Sequence, residues 1–278
     1  MKEINVLSLF DGMSCGQIAL NRAGIRYKNY FASEIDRHAI TVTKHNYPKT
    51  VHIGDVAKVK SETLPEIDLL IGGSPCQGFS FAGKKLNFED FRSKLFFEYV
   101  RLLKELKPKY FLLENVRMNK QSCDVISSIL GVEPVMINSN LVSAHHRPRL
   151  YWTNINFPVP EDRNITLKDI LEETSVPSLV LKGKGLNKLN RPRNRVTDIR
   201  TENKSPCLLA SQYCKPTDAV IFFDGECYRY PSRTEMERLQ TVPEGYTCAV
   251  KYNDAAKMLG NGWTVDVISH ILSHADFS

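Results

Sequence analysis

The sequence predicts an α/β fold: a doubly wound, mostly parallel, Rossmann-like sheet with a small second lobe. Three observations predict it. Over residues 1–155 short apolar runs alternate with helical patterns, the texture of successive βαβ units. The apolar runs open into small or acidic residues, as strands do where such sheets receive ligands. After Asn156 the texture changes to FPVPEDRN and then to a basic, Gly/Asn/Pro-rich stretch.

The predicted strands are residues 4–10, 30–33, 68–72, 110–114, 135–138 and 150–153. Between them the helical spacing is carried by Ile18, Leu20 and Ala23, then by Ala39, Val42 and Thr43, then by Leu95, Tyr99, Leu102, Leu103 and Leu106. Helical signals return at Ser232 and Glu235, a capping-box pair, and over residues 253–258. Val265, Val267, Ile268, Ile271 and Leu272 read as a buried helix returning to the first domain. The expected organisation is a catalytic domain over 1–156, a small lobe over 157–230 and C-terminal helices over 231–278.

Bulk properties narrow the function classes. A chain of 278 residues, 42% hydrophobic and 24% charged, builds a core, which excludes disordered and fibrous classes. The apolar run before Asp11 is too short for a signal core or a membrane span, so a cytoplasmic protein with no membrane association is expected. Seven cysteines without any CxxC pair read as reduced thiols, and no metal is expected. A net charge of +6 suits a polyanionic partner without identifying one.

The first strand runs into Phe10-Asp11-Gly12-Met13-Ser14-Cys15-Gly16, a small-residue turn before a helix. There, backbone can approach a nucleotide-like ligand closely. Glu34 follows at the end of the second strand, where an acid binds ribose hydroxyls in this topology. Asp55, after Gly54, offers a second acceptor to the same crevice, fit for an adenine amino group. No phosphate-binding glycine fingerprint is present, so a ligand without phosphates fits better than a dinucleotide. S-adenosylmethionine is such a ligand.

The fourth strand opens into GGSPCQGFS, residues 72–80. Most lone cysteines are small buried hydrophobes, the expectation for the side chains of Cys15 and Cys123. Cys76 differs, because Gly and Pro give it a loop that leaves the thiol available to attack an electron-poor ring carbon. Glu114, ending the next strand, supplies a carboxyl at the same edge. Arg147 and Arg149, two residues apart at the mouth of a later strand, are expected on one face, where they can bind phosphate or a base carbonyl. His145 and His146 are read as structural.

With these residues assembled, the chain resembles the DNA cytosine-5 methyltransferases over nearly its full length. Phe10-Asp11-Gly12 with Gly16 is similar to the family's cofactor loop, and Glu34 and Asp55 fall at its ribose and adenine positions. Ser74-Pro75-Cys76-Gln77 resembles the nucleophile loop, Glu114-Asn115-Val116 the acid motif and Arg147-Pro148-Arg149 the paired-arginine motif. Residues 233–240 are similar to the helix that supports the recognition lobe. Asn261, Gly262 and Trp263 resemble the final, cofactor-returning motif in a form similar to that of the animal de novo enzymes.

The resemblance implies a methyltransferase that flips cytosine from duplex DNA, with Cys76, Glu114, Arg147 and Arg149 as catalytic residues. It implies S-adenosylmethionine as cofactor, held by Phe10, Asp11, Gly12, Met13, Cys15, Glu34, Ile35, Asp55, Val56, Ser74, Pro75, Leu95, Asn261, Gly262 and Trp263. DNA contacts are expected from Gln77 and Ser80, from the basic run Lys184, Lys188, Arg191, Arg193 and Arg195, and from Arg200. A cognate restriction endonuclease is an open question, as is the oligomeric state. Two alternatives stand beside this reading. A transfer-RNA branch of the family would carry a Cys-Phe-Thr motif, absent from this sequence. An inactive regulatory module would have lost Cys76 or Glu114, and both are present.

Overall fold

The structure, a computed structural model, describes residues 2–74, 91–173, 179–181, 195–212 and 219–278. Pro75, Cys76, Gln77, Ser80, Lys184, Lys188, Arg191 and Arg193 lie outside the described residues. The chain divides into two compact units. The first comprises Met1–Ile137, Pro148–Val159 and Ile268–Ser278, and the second Asn138–Arg147 and Pro160–Val267. Residues 160–230 and the helical segments up to Val267 therefore share one unit, and only the chain's last eleven residues cluster with the first.

In chain order the first unit runs β1 (Ile4–Leu9), α1 (Cys15–Arg22), β2 (Tyr27–Ser33), α2 (Arg37–Asn46), β3 (Val51–His52), β4 (Leu69–Gly72), α3 (Phe91–Leu106), β5 (Tyr110–Val116), α4 (Lys120–Leu130), β6 (Val135–Asn138) and β7 (Pro148–Thr153). These strands form a seven-stranded sheet in the order β3-β2-β1-β4-β5-β7-β6. Pairing is parallel from β3 across to β5, and β7 runs antiparallel to β5. The reversal on either side of β1 and β4 is the doubly wound topology, which opens a crevice beyond the strand ends. Leu7, Leu9, Leu70, Phe111, Leu113 and Trp152 put one face of this sheet into a core filled by Phe96, Tyr99 and Leu102 of α3. Their alternation along each strand reflects the twofold period of side chains.

The second unit contains a smaller sheet, β8 (Arg195–Asp198), β9 (Val220–Phe223) and β10 (Tyr228–Arg229), with β8 parallel and β10 antiparallel to β9. The helices α5 (Arg233–Leu239) and α6 (Tyr252–Asn261) follow, and α7 (Val265–Leu272) leads to the C-terminus. The capping box predicted at Ser232 and Glu235 is present, with both reciprocal hydrogen bonds made. Glu235, fully buried, also forms a two-pronged ion pair with Arg229, with both contacts at 2.7 Å. Buried charges are tolerated only when paired in this way. Among the described residues, no helix is long and apolar enough to cross a membrane.

Candidate active site

Strand register explains why distant motifs share one edge. Ser33 of β2 and Gly72 of β4 both stand opposite Leu9 of β1, and Leu113 of β5 stands opposite Gly72. Phe10, Glu34, Gly73 and Glu114 are thus each one residue past the same row. Parallel strands deliver their carboxyl ends together, so the candidate residues converge although they span more than a hundred positions.

At the β1–β2 side, Glu34 accepts three backbone hydrogen bonds: from Gly12 at 2.7 Å, Ile35 at 2.7 Å and Asp36 at 2.8 Å. Asp36 then caps α2 through the amides of His38 and Ala39. Ser33 Oγ donates to the Gly54 carbonyl at 2.8 Å, which ties the next turn to β2. Asp55 follows and caps the turn Val56–Lys58 through the Ala57 amide. Beside Glu34 the side chain of Ile35 is 72% exposed, an apolar surface left open next to a fixed acceptor. Two half-buried carboxylates, an open apolar residue and a 10–16 loop without any lysine or arginine suit hydroxyls, an amine and an aromatic ring, not a phosphate. That donor set fits S-adenosylmethionine.

Other expected cofactor residues sit deeper. Met13 is 1% exposed and Cys15 and Val56 each 4%, so their side chains belong to the core and only their backbone borders the loop. Leu95 is half-buried against the same core. Asp11 is buried and engaged with Tyr30 and Ser14. Gly16 serves packing as well as turning: a Cβ there would meet Ile71 Cδ1 and Tyr30 Oη, each at 2.5 Å.

At the β5–β7 side, Glu114 stands opposite Tyr151, and Arg149 lies two residues along β7 on the same face. The two side chains pair diagonally, Arg149 Nε to Glu114 Oε1 at 3.0 Å, with side-chain exposures of 12% and 11%. Asn115, the next residue, donates to both the carbonyl and the Oγ of Ser74 at 3.3 Å. It thereby anchors the chain immediately before Pro75 and Cys76. The sequence reading gave Asn115 no role of its own, and missed Tyr30 as well. The signal the sequence offers for Tyr30 is its place at the start of the predicted strand 30–33.

Arg147 corrects an expectation. Its guanidinium is not left open to a ligand: the residue is 2% exposed, inside the second unit. There it donates to the carbonyls of Leu208 (3.0 Å), Gly260 (3.2 Å) and Gly262 (2.7 Å) and to Cys207 Sγ (3.2 Å). β7 begins at Pro148, so the alternation that faces Arg149 toward Glu114 does not extend to Arg147, and the distant carbonyls claim its guanidinium. Its carbonyl cage fixes the end of α6, including Gly262, while Asn261 is exposed and Trp263 half-buried. Arg195 likewise turns inward, donating to the Cys207 carbonyl from β8. Arg200 is outward but paired, with Asp198 at 2.7 Å, and lies over the Phe223 ring at 5.1 Å. Among the described residues, no cluster of three or more His, Cys, Asp or Glu could hold a metal ion.

Residues 4–125 match the model of a family described as C-5 cytosine-specific DNA methylase. The orphan methyltransferase M.SPRI of Bacillus phage SPR is 37% identical over 190 residues, which is 62% of this chain and 43% of its own. The type II methyltransferase M1.ScrFI of Lactococcus lactis subsp. cremoris is 29% identical over 298 residues, with coverages of 96% and 76%. The chain spans less than half the length of the phage relatives M.SPRI and M.Rho11sI, at 43% and 24% of each. Two solved structures share the fold. The Dnmt2 methyltransferase of S. pombe has a TM-score of 0.80 at 21% identity, with 98% of each chain covered. The Entamoeba histolytica methyltransferase EhMeth has a TM-score of 0.83 at 16% identity, with 99% of this chain and 98% of its own covered.

Proposed function

We propose, from the match of residues 4–125 to the model of the C-5 cytosine-specific DNA methylase family, that the chain methylates carbon 5 of a cytosine flipped out of double-stranded DNA. The observation that carries this reading is the nearly buried Glu114–Arg149 pair, 3.0 Å apart, at the same sheet edge as Glu34. Cytosine presents a ring nitrogen with an amino group on one side and a carbonyl on the other. A carboxyl and a guanidinium side by side match those two features. A base inside the duplex is out of their reach, so it must rotate out, at a cost of a few kcal/mol in stacking and pairing.

In this reading the Cys76 thiolate adds to carbon 6 of the ring. Glu114 holds or protonates the N3 edge, which drives electron density onto carbon 5. Arg149 supports the base carbonyl, and Arg147 acts from a distance by holding Gly262. S-adenosylmethionine, when bound, supplies the methyl group that carbon 5 accepts, with S-adenosylhomocysteine as the leaving product. Glu34, Asp55 and Ile35 would hold its ribose and adenine, and the backbone of Phe10 to Gly12 would border it. Loss of the carbon-5 proton then lets the carbon 6–sulfur bond break, which restores the Cys76 thiolate. The basic segment over residues 182–195 would follow the DNA backbone. Such an enzyme works inside the cell, with or without a cognate restriction endonuclease.

The test is to incubate the protein with unmethylated plasmid and S-adenosylmethionine and to map 5-methylcytosine by bisulfite sequencing. Methylation at one short sequence context is expected. Methylation of transfer RNA in a parallel reaction, with none on plasmid, would overturn the DNA assignment.

A further inference from the structure

The loop beside Glu34 carries unusual backbone. Phe10, Gly12 and Ser14 all lie in the left-handed region, at φ 56°, 58° and 61°. Two of the three are residues whose side chains resist that conformation. Such a loop persists only where its surroundings hold it.

Asp11 is at the centre of what holds it. Its carboxylate, 9% exposed, accepts the Tyr30 phenol at 2.6 Å on one oxygen and the Ser14 hydroxyl on the other. Thr43 Oγ1 of α2 donates to Ser14 Oγ at 3.2 Å. The network therefore ties the loop to β2 and α2. Gly16 makes it possible, because any side chain there would occupy the position of Tyr30 Oη.

We infer that Asp11 and Tyr30 are positioning residues for S-adenosylmethionine: they hold the loop in its binding form through Ser14 without touching the cofactor themselves. The inference rests on the cofactor reading above. Two hydroxyl groups, of Tyr30 and Ser14, donate to the carboxylate, one to each oxygen, and a carboxylate is acceptor-only when ionised. Protonated on one oxygen, it presents a donor to a hydroxyl that was donating to it, so that hydroxyl must turn. Burial pushes the Asp11 carboxyl up from 3.8 to about 6, with its hydroxyl partners opposing and the charge of Glu34 adding to the rise. Glu34 and Tyr30 are the ionisable groups acting on it. The phenol of Tyr30 is raised well above its ordinary value, so it stays a donor throughout.

Stability and affinity then carry opposite signs. A carboxyl raised by folding contributes stability below its unfolded value, and that contribution is lost as pH rises from 3.8 through about 6. Affinity for S-adenosylmethionine moves the other way, because the ionised form holds the loop. The fold keeps a costly charge where the cofactor loop needs it.

The test is calorimetric titration of the full chain with S-adenosylmethionine from pH 5 to pH 8, for wild type, Tyr30→Phe, Asp11→Asn and Ser14→Ala, with melting temperatures alongside. Wild-type affinity should weaken below about pH 6. Tyr30→Phe should raise Kd at pH 7.5 roughly tenfold, and Ser14→Ala, which serves if Tyr30→Phe does not fold, by a similar factor. Asp11→Asn should bind weakly at every pH, with a flat profile and a melting temperature no lower than wild type. Wild-type affinity with variants that match it in Kd and pH profile would overturn this inference alone. Wild-type protein that binds no S-adenosylmethionine would overturn it together with the functional reading.

Discussion

Glu34 and Glu114 sit one residue past the same row of strand ends, yet they are held by different means. Three backbone amides fix Glu34, and no side chain needs to be in place for it to stay there. Glu114 is engaged across the β5–β7 ladder by the side chain of Arg149, at 3.0 Å. Backbone amides make a rigid acceptor, suited to a ligand bound in one pose. A carboxylate paired with a guanidinium can exchange that partner for a base and regain it afterwards. The arginines repeat the contrast: Arg147 is locked in a cage of carbonyls, and Arg149 remains at the site. On the proposed function, the fixed groups would serve the cofactor and the scaffold, and the exchangeable ones the chemistry.

The comparison breaks most decisively at Glu114. Glu114→Gln should reduce turnover by about 10²–10⁴ while leaving the Kd for S-adenosylmethionine unchanged. A parallel loss of cofactor affinity would show that the two glutamates do not divide the work. Arg147→Met leaves the carbonyls of Leu208, Gly260 and Gly262 without their donor. Chemical denaturation should record a loss of about 2–4 kcal/mol, whereas Arg149→Met should cost the fold less and turnover far more. Glu34→Ala removes a charged acceptor from the proposed ribose position and should weaken S-adenosylmethionine by about 1.5–3 kcal/mol, with turnover near wild type at saturating cofactor. The smallest effect is expected from Lys184 and Lys188, outside the described residues. If they touch phosphate, replacing each with Ala should shallow the slope of log affinity against log salt by about one, equally on cognate and scrambled duplexes.

Much of the first unit was legible because its signals are local. The apolar runs at 4–10 and 110–114 and the helical spacing of Leu95 to Leu106 mark β1, β5 and α3 to within two residues at the strand ends and four at the helix start. Ser232 and Glu235 announced α5 through chemistry confined to one turn. The short strands β8 to β10 went unread, since two to four residues carry too little periodicity to register. Arg147 was misread because its fate depends on carbonyls at Gly260 and Gly262, more than a hundred residues away in sequence. Tyr30 was missed for a similar reason, as its phenol acquires meaning only when folding brings Asp11 and Gly16 to it.

Attack of Cys76 on a cytosine ring presented to Glu114 and Arg149 can be trapped by incubating the protein and S-adenosylmethionine with DNA in which 5-fluorocytosine replaces cytosine. Fluorine cannot leave as a proton does, so the thiol–carbon 6 bond cannot be released. The account predicts a stable protein–DNA adduct whose digestion places the modified nucleotide on Cys76, and no adduct with Cys76→Ser. An adduct on another residue, or methylation of ordinary cytosine by Cys76→Ser at a rate near wild type, would contradict it.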